Sequence, residues 1–276
     1  IMYSVWGYYR HLFRRSLLSW RMLSVALLTI LTMDVFLAGL RDYCHDAGVR
    51  LSQWGFAFLW INKYVVLSFL LIYIFAVSNF PLDRERERYS IARMGVSRWV
   101  AAQGLYLITF GWIYTALLLV LQGMLLSGVT QWADGWGEGW AMVSGGVGGY
   151  DMYVSVPYQV LSNYAPLEAN LLVTVILGLL LGMLAILVLW MNLYFRAAGA
   201  IAGGAVIFLG LAADKLGGLL QYSPTSWIQL GYHYNVMKPW QPKPGYIVTM
   251  LVLLTVLELI MAKLRVEHTQ ENNRRR

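Results

Sequence analysis

The sequence predicts an all-α integral membrane protein with six transmembrane helices. Three observations carry that reading: too little charge to cover a water-facing surface, six long apolar runs, and an uneven distribution of Lys and Arg among the connections. Of the 276 residues, 59% are hydrophobic and 13% charged. A soluble domain carries roughly 25% charged residues. A large soluble core would also give amphipathic helices with one polar stripe, whereas here whole runs are apolar all round.

An apolar helix needs about 20 residues to cross the hydrocarbon core. Six segments meet or approach that length: residues 22–40, 58–80, 100–126, 171–194, 197–213 and 246–262. Together they make residues 1–276 one transmembrane domain. The second run reaches its length only if it starts near Phe56, with Asn62 and Lys63 at the interface; the fifth is short. The connections differ in kind. Residues 41–55 are polar and 81–99 densely charged. Residues 127–170 are long, rich in Gly and Trp, and hold no Lys or Arg. Residues 193–196 make a tight turn, and 214–245 are polar and aromatic with Pro224, Pro239, Pro242 and Pro244. Residues 263–276 are a hydrophilic tail.

Cytoplasmic connections retain Lys and Arg. With the N-terminal side placed inside, 15 of the 21 Lys and Arg residues fall on the inner side. An odd number of spans would put the basic tail outside, so the expectation is six spans with both ends cytoplasmic. Ahead of the first span, Trp6, Tyr9, Phe13 and Leu17 recur at helical spacing with Arg10 and Arg14 between them. That predicts an amphipathic helix lying in the inner interface. Arg10 to Arg21 followed by an apolar run could also open a signal peptide, but the run is too long and lacks a small-x-small cleavage site. A retained first span is expected.

No catalytic or metal pattern is present. HExxH and GxSxG are absent, His11, His45, His233 and His268 are scattered, and Cys44 is the only cysteine. There is no GxxxxGK[ST] phosphate loop, so no enzyme and no self-powered pump is expected. The basic clusters sit beside apolar spans, which argues against nucleic acid as a partner.

The informative stretch follows the second span. Asp83, Arg84, Glu85, Arg86, Glu87 and Arg88 alternate in sign, giving opposite charges three residues apart, such as Asp83–Arg86 and Glu85–Arg88. Gly95 can stop that helix and Ser97 can cap the next. The prediction is a short polar helix across the cytoplasmic face, leading through Arg93 and Met94 into the third span; the bland alternative is a solvated charged turn.

A second span, a Glu/Arg-rich stretch and the step Ile91-Ala92-Arg93-Met94-Gly95-Val96-Ser97-Arg98-Trp99 resemble the permease subunits of ABC-2-type ABC transporters. The resemblance implies six spans, a leading interfacial helix, and a cytoplasmic coupling helix between spans two and three. It also implies a re-entrant segment between spans five and six, for which residues 217–240 offer Ser223 as a cap and Pro224 at a first helical position. The connection 127–170 is longer than the family's simplest members carry. By resemblance the chain binds no cofactor itself; ATP and Mg belong to a partner ATP-binding subunit, whose motion passes through residues 83–94. A second permease chain, identical or not, completes the pathway, and export across a bacterial plasma membrane is implied.

Ionisable groups within spans are costly and often functional. Asp34 and Glu258 are therefore candidates to line a substrate pathway, while Asp214, beside Lys215, reads as interfacial. Gly178 with Gly182, and Gly199 with Gly203, have helix-packing spacing. Trp132, Trp136, Trp140 and Tyr150 in the long outer loop are candidates to contact substrate or an accessory protein, or to form a lid on the membrane surface. Two other classes stay open: an ion-gradient-driven secondary transporter, which favours internal repeats and paired acids, and a membrane assembly or sensory protein that transports nothing.

Overall fold

Residues 171–191 contain no charged side chain. In hydrocarbon such a run can satisfy its backbone only as a helix, and Pro166 suits a helix start because its missing N–H is not needed there. The result is α9 (Pro166–Asn192), around which the molecule is organised. The computed structural model describes residues 4–17, 19–82, 84–146, 150–216, 220–233 and 242–275, with the backbone alone at 17, 84–88, 211, 214, 216 and 273–275.

In chain order the elements are α1 (Val5–Leu17), α2 (Trp20–Ala47), β1 (Leu51–Ser52), α3 (Phe56–Leu59), α4 (Lys63–Val77), α5 (Arg84–Met94) and α6 (Val96–Leu126). After these come β2 (Thr130–Gln131), α7 (Gly137–Ser144), α8 (Tyr158–Asn163), α9, α10 (Ala198–Leu216) and α11 (Pro244–Arg275). Four helices, α2, α6, α9 and α11, are long and apolar enough to cross a membrane; α4 and α10 are shorter apolar helices. This is a helical, multi-pass membrane architecture. The apolar part of α9 is 67% buried inside the chain against 22% for α11, so α9 is central and α11 peripheral.

Small residues set the packing. A side chain at Gly111 would meet the Gly182 nitrogen at 3.1 Å, one at Gly178 would meet the Trp112 ring, and Gly182 faces Ile108. Position numbers on α6 rise as those on α9 fall, so the pair is antiparallel. On α10, Gly199 approaches the Val188 carbonyl so closely that a Cβ would lie 2.4 Å from it, and Gly203 faces Ile74 of α4. The glycine pairs of α9 and α10 thus serve packing within the chain.

Both ends of α9 are pinned by buried asparagines. Asn192 donates to the carbonyls of Ser78 (2.9 Å) and Phe80 (2.6 Å) and accepts from the Gly199 N–H at 2.8 Å. Asn170 donates to the Trp54 and Pro166 carbonyls, both at 2.8 Å, and accepts from the Ala57 N–H at 3.0 Å. At 1.5 Å per residue the two lie about 33 Å apart, close to a hydrocarbon thickness of about 30 Å.

The asparagines mark two ends of the bundle. At the basic end, Arg21 of α2 donates to the Phe75 carbonyl at 2.8 Å and to the Ser78 hydroxyl. Its guanidinium also lies 4.4 Å from the Phe75 ring centroid. A cation on the last carbonyls of α4 satisfies groups that a helix end leaves open. Here too α1 packs on α6: Tyr8, Leu12 and Ser16 are buried, Tyr8 meets the Trp99 indole N–H at 3.3 Å, and Tyr9 and Phe13 lie against Tyr106. At the other, capped end, residues 127–146 and 150–165 fold over the bundle. Leu51–Ser52 pairs in parallel with Thr130–Gln131, and the chain at Tyr150–Tyr153 runs back along α2, its Asp151 carbonyl against Gly39.

Several expected boundaries move. The second apolar run does not start at 58: Phe56–Leu59 is a separate turn of helix, and Asn62 in extended conformation caps α4, its side chain accepting from the Tyr64 N–H at 2.9 Å. The first span continues to Ala47, through part of the expected polar loop, and α11 continues through the hydrophilic tail. The buried face of α1 is Tyr8–Leu12–Ser16, with Trp6 56% exposed. Gly95, not Ser97, precedes the third apolar helix; its φ of 82° lets the chain turn within one residue. Ser223 does not cap an α-helix: the described residues 220–233 make turns and two 3₁₀ segments, Leu220–Tyr222 and Leu230–Tyr232. Part of the expected re-entrant stretch, 217–219 and 234–240, lies outside the described residues.

The glycine packing makes a signed prediction. Gly199→Ala should destabilise the protein by about 1–3 kcal/mol, as overpacking does. Gly204→Ala, where an added Cβ meets nothing within 4 Å, should be neutral or stabilise through helix propensity by up to about 1 kcal/mol. Thermal unfolding in detergent reads both.

Candidate functional site

The charged stretch forms a helix, α5, as expected. Asp83 lies outside the described residues, as do the side chains of Arg84, Glu85, Arg86, Glu87 and Arg88, so the expected ion pairs are not among the described contacts. From Tyr89 onward the helix has two faces. Tyr89 is 73% exposed and Ala92 and Arg93 are exposed, while Met94 is buried and Ile91 packs against the core. The helix is tied closely at both ends. The Gly95 N–H donates to the Ile91 carbonyl at 2.9 Å, and Gly95 in turn accepts from the Trp99 N–H at 3.1 Å. Before α5, Phe80 is buried with its carbonyl on Asn192 and its ring stacked on Tyr106 at 5.1 Å.

Tyr106 starts an aromatic column on one face of α6. Phe110 and Tyr114 follow at intervals of four, Tyr73 of α4 stacks on Phe110 (5.8 Å) and lies 5.3 Å from Tyr114, and Tyr114 meets the Thr29 hydroxyl of α2 at 3.1 Å. The column joins α1, α2, α4 and α6 to the start of α5. A displacement of α5 therefore meets packed rings rather than slack chain.

The two acidic candidates separate. Asp34 sits about 21 Å along α2, its side chain 47% exposed and paired with Arg41 at 2.7 Å. It belongs to an ion pair on the flank of the helix. Glu258 is only 8% exposed, on the buried stripe of α11 with Ile247, Leu251 and Ala262, and its Oε2 has no hydrogen-bond partner among the described residues. The neighbouring Leu259 packs at Gly104, which puts Glu258 level with the fully buried Gln103, whose two amide atoms also lack partners among the described residues. Buried polar groups without partners are rare and costly, so this level of the bundle is polar and unsatisfied. The two acids are not brought together. The Asp214 side chain is not described.

The four aromatic candidates of the long loop also divide. Trp140 is fully buried: its N–H donates to the Ser52 carbonyl at 3.0 Å and its ring lies 4.9 Å from Phe58. Trp136 donates to the Tyr164 carbonyl at 3.0 Å and lies 4.7 Å from Phe58. These two hold the cap down. Trp132 is 84% exposed beside Trp54, and Tyr150 donates to Asp46 at 2.8 Å. Only the last two face outward. His233 ties the segment after α10 to the cap, one ring nitrogen 3.0 Å from the Tyr164 hydroxyl and the other 3.0 Å from the Trp227 carbonyl. Burial holds its imidazole below the ordinary value, partly offset by the Trp227 carbonyl.

Sequence reasoning missed Asn170, Asn192, Gln103, Gln122 and the Arg21 contact. The asparagines had a signal, since they bracket the uncharged run 171–191. Gln103 and Gln122 lie within an apolar run that reads as uniform until its partners are known. Comparisons with protein-family models, with characterised proteins and with solved structures found no match for this chain.

Two predictions follow from the cap. Trp140→Ala should cost about 3–5 kcal/mol, as for a buried aromatic, and Trp132→Ala no more than about 0.5 kcal/mol, measured by thermal unfolding. His233 has a lowered folded value, so the released segment takes up a proton more readily than the docked one. Docking is thus fully favourable above the ordinary His value of about 6.5 and weakens as the pH falls below it. Amide exchange at Leu230–Tyr232 should be faster at low pH than at pH 8 after correction for intrinsic rates, and His233→Gln should abolish that extra dependence.

Proposed function

We propose that this chain is the permease subunit of an ATP-driven ABC transporter, an exporter working by alternating access and powered by a separate ATP-binding subunit that carries ATP and Mg. In this reading all six apolar helices cross the plasma membrane of a bacterium, the basic end faces the cytoplasm, and residues 217–240 form a re-entrant segment. A second permease chain, identical or related, completes the pathway.

The observation that carries the reading is α5. It is a charged helix set between two apolar helices, with buried anchors at both ends in Phe80 and Met94. A rigid polar helix in that place turns a push in water into a tilt in lipid. Because Asn192 holds the Phe80 carbonyl and Gly95 leads directly into α6, the push reaches α4, α6 and α9 together. These 276 residues contain no phosphate loop, and the reading assigns the push to a separate ATP-binding subunit.

A second reading, a carrier driven by a proton or sodium gradient, draws on Glu258, a carboxyl inside the bundle whose Oε2 has no hydrogen-bond partner among the described residues. Purification with the products of neighbouring genes separates the two. An ATPase subunit should copurify, and the Glu85→Lys/Glu87→Lys double variant should insert normally yet lose that subunit or uncouple its ATPase activity from transport. Normal assembly and transport in the variant would contradict the role given to α5. Gradient-driven transport by the purified chain alone would favour the second reading.

A further inference from the structure

At the capped end lies a cavity of about 300 Å³, the volume of about ten waters at roughly 30 Å³ each and within the range of small-ligand sites. One wall is the last two turns of α6; the other is the chain from Ser52 to Phe56, with Trp132 beside it. Leu119 and Gly123 on the α6 wall are exposed on the flank that also carries Val120 and Met124. The mouth therefore opens where the apolar surface of α6 meets the cap, the level at which aromatic residues gather at membrane interfaces.

The lining is uncharged throughout, but it is not apolar. Gln122 is 5% exposed and its Oε1 has no hydrogen-bond partner among the described residues; Ser52 is 1% exposed and its hydroxyl has none among them either. The other amides at the site are committed. Gln53 exchanges two hydrogen bonds with the Ala133 backbone, both at 3.0 Å, and Asn170 clamps the ends of α3 and α9. A carbonyl buried without a donor is costly, and a ligand hydroxyl would satisfy it. A charged group would be stripped of water there with no counter-charge to meet it.

We propose that this cavity binds the headgroup of an uncharged, hydroxyl-bearing lipid from the adjoining leaflet. A headgroup hydroxyl donates to Gln122 Oε1, a second exchanges a hydrogen bond with Ser52, and the Trp54–Trp132 pair covers the carbon face. The acyl chain leaves past Leu119 along α6. The proposal rests on the chain being embedded in a membrane and not on transport, because its readout is binding.

The test uses the full chain in phosphatidylcholine vesicles with a photoactivatable monoacylglycerol, the labelled peptides being mapped by mass spectrometry. Labelling should concentrate at residues 52–56 and 119–132. Unlabelled monoolein should compete, free glycerol should not, and a photoactivatable phosphatidylglycerol should label these peptides about tenfold less. Gly123→Leu fills the mouth at a position where an added Cβ meets nothing within 4 Å; it should cut labelling about tenfold without lowering thermal stability. Gln122→Leu should keep labelling but lose the preference for monoolein over its diacetylated form. Undiminished labelling in Gly123→Leu, equal labelling by the anionic probe, or labelling spread over α2 and α11 would overturn the proposal. Effective competition by free glycerol would overturn the lipid as the source and point to a soluble polyol.

Discussion

Two side-chain amides hold this bundle in register. Asn170 and Asn192 stand at opposite ends of α9, and each satisfies backbone groups on neighbouring connections that have no place in a helix ladder. Such groups cannot be left open near hydrocarbon, where each unsatisfied one is costly. The same bonds hold the two short helices. Asn192 fixes the chain leaving α4 and the one entering α10, while Asn170 fixes the turn of α3 just ahead of α4. At 15 residues, α4 extends only about 22 Å, so its position along the bundle axis comes from these ends rather than from its own length.

That arrangement leaves the charged helix short tethers at both ends. Between Phe80, locked to Asn192 and Tyr106, and Gly95, which opens α6, α5 has little free chain on either side. The aromatic column from Tyr106 to Tyr114 carries the contact inward to Tyr73 and Thr29. Packed interiors move as units because their contacts do not deform continuously. The proposed driven motion is then a tilt of α4 and α6 against α9, with the unsatisfied level at Gln103 and Glu258 on the α6–α9–α11 side of that movement.

The apolar runs were legible because a lipid-crossing helix announces itself by composition, and the polar helix because alternating charges at helical spacing have few other uses. What stayed hidden depends on partners distant in sequence. The face of α1 was read from its own large side chains; Tyr9 and Phe13 do lie against Tyr106, but the most buried positions are Tyr8, Leu12 and Ser16, and Trp6 is left exposed. The Trp residues of the long loop look equivalent in sequence; Gly55 and Phe58 make Trp140 a core residue and leave Trp132 outside. Asp34 and Glu258 looked alike as acids within apolar runs; the pairing of Asp34 with Arg41 and the burial of Glu258 separate them. Asn62 hid a helix start inside an apolar run, since a single capping side chain outweighs the hydropathy around it.

The proposed six-span topology requires the short helices α4 and α10 each to cross between the basic and capped ends. Single cysteines in a Cys44→Ala background, at the exposed positions Ala47, Ser97, Arg196 and Tyr222, test this in sealed vesicles with a membrane-impermeant thiol reagent. Ser97 and Arg196 should react from one side only, and Ala47 and Tyr222 only from the other. Reaction of Ala47 and Ser97 from the same side would contradict the crossing of α4, and the same outcome for Arg196 and Tyr222 would contradict that of α10.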